Sequence, residues 1–244
     1  SDMKKLNNAD IFVYIDESIE SFIERPLATL SEDVKTIKIM GNPRLSLLPI
    51  REGGVWEEED HGDGHHHDHG DYDAHIWLSN KNVIKMTKFL ISELSKINPD
   101  KKNTYKANAK VFINKVKANA AKIRKDLDSV KDKPYIVFHD AYQYFETENS
   151  LSSVGSIALN PEISPTPNRI KEIKAKIEKD NVVCLFREPQ FPSRVVQTVI
   201  ADTNANEGEL DPIGFDLTPG KELYFTLTNN LSNNLKECLM KGGL

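Results

Sequence analysis

Apolar positions in this chain recur in two registers, short continuous runs and longer stripes at intervals of three and four, and their alternation predicts an α/β protein. Ile11-Phe12-Val13-Tyr14-Ile15 is a continuous run of the length and composition of a buried strand. Asp16 to Leu30 follows as a helix with Ile19, Phe22 and Ile23 on one side, and Lys35 to Met40 as a second strand closed by Gly41-Asn42-Pro43. Strands that are apolar on both faces, with helices between them, belong to a parallel sheet covered by helices. Ser1 to Asn8 has helical character with no strand before it, so the first lobe is expected to lack its first strands.

The central third is helical. Val83, Met86, Leu90, Leu94 and Ile97 form one stripe behind a capping Ser79. Asn98-Pro99 ends that helix and starts the next. Tyr105, Ala109, Phe112, Val116, Ala120, Ile123, Leu127 and Val130 then mark a rod of roughly 45 Å, long enough to connect two lobes. The βα alternation returns with strands at Tyr135 to Phe138, Ser153 to Leu159 and Val182 to Phe186, and a short strand or turn at Gly208 to Asp211. Helices are expected at Asp140 to Thr147, around Ile170, Ile173 and Ile177, at Pro192 to Ala201, and along Leu223, Leu227, Leu231, Leu235 and Leu239. The organisation is an N-terminal lobe over 1–98, a rigid connecting helix over 99–131 and a C-terminal lobe over 132–244, each lobe a mainly parallel sheet flanked by helices. No repeat occurs at solenoid periods.

Charge changes this picture at one place. The formal net charge is −5, yet residues 51–73 carry nine acids against the single cation Arg51. The remainder is slightly positive and offers no basic footprint for nucleic acid. No run approaches the ~18 apolar residues of a membrane span, and the polar start Ser1-Asp2-Met3-Lys4-Lys5 is not a signal peptide. The two cysteines, Cys184 and Cys238, are not a C-x-x-C pair, which disfavours a structural zinc cluster. Their spacing fits a bridge between a core strand and the last helix and fits two buried thiols equally well.

Within the acidic stretch, residues 57–71 form a histidine and acid run without apolar periodicity, expected to be a solvated, mobile loop. His61, His65, His66, His67 and His69 can gather transition metals there, weakly, because ordering such a loop costs conformational entropy. His75 and His139 stand apart. His75 sits beside Trp77 just ahead of a helix, and His139 directly follows Tyr135-Ile136-Val137-Phe138, at the strand end where open α/β sheets hold ligands. A metal held by both would lie in the inter-lobe cleft, and imidazole is the commonest ligand of Zn2+. Glu188 and Asp211 could add carboxylates. Glu188 otherwise caps a helix or holds a hydrogen bond within the cleft, behind the ligands, and Asp211 otherwise starts the turn before Pro212. No nucleophile elbow, phosphate-binding glycine loop or H-E-x-x-H motif is present.

Five segments in order, Ser1-Asp2 through Ala9-Asp10, Asp73-Ala74-His75-Ile76-Trp77-Leu78, Val137-Phe138-His139-Asp140-Ala141-Tyr142-Gln143-Tyr144-Phe145, Glu188-Pro189-Gln190-Phe191 and Asp211-Pro212-Ile213-Gly214, resemble the zinc-binding periplasmic proteins of bacterial ABC importers, the ZnuA-like branch of the cluster A-I (cluster 9) substrate-binding family. The resemblance implies Zn2+ as cargo, His75 and His139 as ligands, Asp211 as an optional fourth ligand, and a Cys184–Cys238 disulfide suited to an oxidising periplasm. It implies a monomer that catalyses nothing and delivers zinc to the membrane permease of an ABC importer. Manganese-binding relatives carry glutamate where His139 stands, which argues against the manganese or iron branch. Ala74 and Asn80 depart from prolines common in the family, and the family's first ligand histidine would precede Ser1. Competing readings are a zinc hydrolase, with a water on His75, His139 and Asp211 deprotonated by Glu188, and a periplasmic metal buffer or adhesin in which the loop alone binds.

Overall fold

The computed structural model describes residues 2–51, 71–158, 161 and 163–242, which form two compact units. The first takes its described residues from 2–49, 71–77 and 81–114. It starts with α1 (Asp2–Asn7), β1 (Ile11–Tyr14), α2 (Glu24–Ala28) and β2 (Lys35–Lys38). β1 and β2 pair in parallel, from Ile11 opposite Lys35 to Tyr14 opposite Lys38, with Tyr14, Ile37 and Ile39 buried.

The continuous helix expected over Asp16 to Leu30 is broken, and local carboxylates explain why. Asp16 Oδ1 accepts the Ser18 N–H at 3.0 Å, and Glu20 Oε2 accepts the N–H groups of Ile15 and Asp16 at 2.6 and 3.2 Å. Side chains that satisfy the backbone this way compete with helix formation. A 3-10 turn at Ser21–Ile23 and the short α2 result, leaving Phe22 exposed and turning Ile23 into the core.

α3 (Asn80–Ile97) follows, and a 3-10 turn at Pro99–Lys101 leads into α4 (Lys102–Leu127). Asn98 is extended rather than helical (φ −133°, ψ 85°), and Pro99 opens the next turn as its fixed φ and missing N–H favour. Ala109 from the first unit, and Val116, Ile123 and Leu127 from the second, are buried on the predicted stripe.

The second unit takes its described residues from 50–51, 78–80, 115–158, 161 and 163–242. After α4 it contains β3 (Tyr135–Val137), α5 (Gln143–Asn149), β4 (Ser153–Ser156), α6 (Pro167–Lys179), β5 (Cys184–Arg187), α7 (Arg194–Ile200), β6 (Asn206–Glu209) and α8 (Leu223–Leu239). Its four strands are all parallel in the order β4-β3-β5-β6. Ile136 and Leu185 from the sheet pack with Ile173 and Ile177 of α6 and Val196 and Val199 of α7. Thr166 starts α6 by accepting the Arg169 N–H at 3.2 Å ahead of Pro167. Cys184 and Cys238 form a disulfide that fastens α8 to β5, Cα to Cα 6.1 Å, with both residues buried. Gly208 on β6 lies so close to the Phe186 ring and Cys238 Sγ that a Cβ there has no room. No described helix is long and apolar enough to cross a membrane.

Candidate metal centre

His75 lies in the first unit, on the loop between the second strand and a 3-10 turn at Ile76–Leu78. The loop's shape is set by Asp73. Its backbone N–H donates to Leu48 O at 2.9 Å, and Pro49 and Tyr72 form an antiparallel bridge beside it. The Asp73 carboxylate, 6% exposed, then folds back on its own chain. Oδ1 accepts the His75 backbone N–H at 2.9 Å and meets His75 Nδ1 at 2.7 Å. The Trp77 ring packs at a tilt against the imidazole, with centroids 5.3 Å apart.

His139 belongs to the second unit, just past the C-terminal end of β3. Its Nδ1 lies 2.6 Å from Glu188 Oε1, and Glu188 is 1% exposed at the end of β5, the strand paired with β3. Gln190 Nε2 donates to Glu188 Oε2 at 3.0 Å. The buried Tyr142 hydroxyl approaches Leu210 O at 3.3 Å and also bonds Glu188. Burial first, and then the negative charge of Glu188, pushes the Tyr142 hydroxyl far above its usual pKa, so it remains a neutral donor. Phe191 stacks on Phe138 and stands edge-on to His139, which limits rotation of the imidazole.

The two histidines share one chemical arrangement. A carboxylate at Nδ1 favours the tautomer carrying hydrogen there and places the lone pair on Nε2, the arrangement that outer-shell carboxylates impose on metal-binding histidines. Asp211 is differently engaged. Its Oδ1 accepts the N–H groups of Ile213 and Gly214 at 3.1 and 2.9 Å, and Oδ2 accepts that of Phe215 at 2.7 Å. It therefore organises the Asp211–Phe215 turn, in which Gly214 adopts φ +74°.

His61, His65, His66, His67 and His69 lie outside the described residues. Among the described residues, no three His, Cys, Asp or Glu side chains are grouped as a metal cage. Asp73, Tyr142 and Gln190 join the site through contacts that no motif in the sequence marks as functional. The Asp-x-His spacing at 73–75 was the available sign of the first, since an Asp side chain readily reaches the backbone two residues on. Tyr142 and Gln190 meet Glu188 only through the fold.

The family profile described as "ZnuA: Zinc-uptake complex component A periplasmic" matches residues 1–238. The high-affinity zinc uptake system protein ZnuA of Brucella suis biovar 1 (strain 1330) is 37% identical over 267 residues, covering 99% of this chain and 80% of that protein. Its counterpart in Yersinia pestis is 33% identical over 250 residues, covering 98% and 78%. A crystal structure of ZnuA superposes with a TM-score of 0.79 at 20% identity, over 97% of this chain and 83% of that one, a likeness of fold.

Proposed function

The chain belongs to the ZnuA family of periplasmic zinc-uptake components, and on that basis we propose that it captures Zn2+ with His75 and His139 and delivers it to the permease of an ABC importer. The family comprises zinc-binding transport proteins and not enzymes. Zinc is cargo here, bound and released unchanged.

The observation that carries the ligand assignment is the repeated carboxylate–imidazole pair, Asp73 with His75 and Glu188 with His139. Both carboxylates are buried, so each ring is held in one orientation, with Nε2 as the nitrogen that meets a borderline-soft cation. Asp211 is the proposed oxygen ligand. A carboxylate has about four acceptor positions, and the three backbone N–H groups of its turn leave capacity for a cation. Histidines 61, 65, 66, 67 and 69 act as a low-affinity collector, on the strength of composition alone.

Zinc titration against a competing chelator tests the assignment in four proteins: the wild type, His75→Ala, His139→Ala and a deletion of residues 61–69. Each histidine substitution is expected to weaken tight binding by about 100-fold or more, above the range typical of losing an outer-shell partner. The deletion should remove only weak additional equivalents. Abolition of tight binding by the deletion, with both histidine variants unimpaired, would overturn the reading.

A further inference from the structure

The ladder of β3 supports the chain only as far as Phe138, whose carbonyl accepts the Ala158 N–H at 2.9 Å. His139 lies one residue beyond. There the backbone reverses in a tight turn, with the Ala141 N–H on the His139 carbonyl at 2.9 Å and Asp140 at its centre. The position of Asp140 therefore controls the direction in which His139 leaves the strand.

Asp140 is gripped through its side chain. Arg51 Nε donates to Asp140 Oδ2 at 2.9 Å and Arg51 Nη2 donates to Oδ1, a two-pronged pairing. Nη2 also reaches Glu146 Oε2 at 2.8 Å, and Glu146 Oε1 accepts the Tyr135 hydroxyl at 2.9 Å. Glu146 and Tyr135 are buried, on α5 and β3. The guanidinium is thus anchored to the two elements that flank the turn and holds the turn's central residue from a third direction. Two parallel N–H groups fix the plane of a carboxylate, which one ammonium cannot do.

We propose that Arg51 is a positioning residue for zinc capture: its paired hydrogen bonds to Asp140 set the turn that aims His139. This rests on the reading of His139 as a zinc ligand. Arg51 sits 89 residues from Asp140 and lies outside every segment that carried the family resemblance.

The test uses the full chain and two variants, because removing a half-buried cation from beside a buried carboxylate can by itself unfold a protein. Arg51→Lys keeps the charge and loses the fork. Arg51→Met combined with Glu146→Gln removes both charges and keeps an acceptor for Tyr135. Each is expected to retain its fold by circular dichroism while its zinc dissociation constant rises about tenfold or more, the scale of lost outer-shell support. The His139 Nε2 resonance should broaden as the ring samples several orientations. Zinc binding within twofold of the wild type in the folded variants would overturn the proposal. So would failure of both variants to fold, since Arg51 would then be a residue of the fold alone. His139→Ala is measured alongside. If that variant binds zinc normally, the ligand reading fails; if it loses zinc and the Arg51 variants do not, only the role of Arg51 fails.

Discussion

His75 and His139 carry the same hydrogen bond but are built in opposite ways. The partner of His75 lies two residues away and also binds the His75 backbone, so the pair is a local turn that needs little from the surrounding fold. The partner of His139 lies 49 residues away, just past the end of the neighbouring strand, and it is further tied to Gln190 and Tyr142. One imidazole is oriented by chain geometry and the other by a packed sheet. The same chemistry can therefore be lost by different injuries, and the two sites should fail differently.

The largest expected difference concerns the disulfide. Cys184 begins β5, the strand that Glu188 directly follows, and its bridge to Cys238 closes a loop with a sequence separation of 54, worth about 4 kcal/mol by the chain-entropy relation. Cys184→Ala with Cys238→Ala should speed hydrogen exchange in β5 and α8 and leave peptides around Asp73 and His75 unchanged. Equal acceleration in both units would remove the contrast.

Next are the two carboxylates. Asp73→Ala and Glu188→Ala should each weaken zinc binding 10- to 100-fold, the cost of an outer-shell partner. They should differ in stability. Glu188→Ala removes an acceptor from the buried Tyr142 hydroxyl, leaving it Leu210 O, and from Gln190 Nε2, and should cost about 1–3 kcal/mol in urea unfolding, whereas Asp73→Ala should cost less. Equal stability losses would show that the local turn depends on the fold as well.

The smallest effect is confined to the first unit, at the end of its two-stranded sheet. Lys38 bonds both Asp16 and Glu17. Glu17 is held below the usual carboxylate pKa chiefly by Lys38; Asp16 is also lowered, because Lys38 and the Ser18 N–H outweigh the upward push of burial. Depressed carboxylates stabilise the fold above their unfolded pKa, near 4, and that contribution fades as pH falls through the lower folded values. In a cluster that water still reaches and screens, the gain is below about 1 kcal/mol. Lys38→Met should flatten the acid limb of the first unit's stability by that amount; an unchanged acid limb would count against the pairing.

The legibility of the two sites follows the same division. Strands at Ile11–Tyr14 and Cys184–Arg187, the stripe of α4 and the parallel pairing were readable because each rests on local periodicity. His75 and His139 stood out by their places at element ends. The helix expected from Asp16 was not realised, since a period of three and four does not register that Asp16 and Glu20 side chains would take backbone donors. Likewise the expected helix from Asp140 begins only at Gln143, because the chain first makes the tight turn after His139. Arg51, Gln190 and Tyr142 gain meaning from contacts that periodicity and short motifs do not encode.

The shared arrangement of the two histidines is tested most directly by long-range 1H–15N NMR of the imidazoles during a zinc titration. Both His75 and His139 should start with hydrogen on Nδ1, and the first equivalent of zinc should shift Nε2 of both rings while Nδ1 keeps its hydrogen. Zinc entering through Nδ1, or leaving either ring unperturbed, would contradict the assignment of these two residues as carboxylate-held zinc ligands.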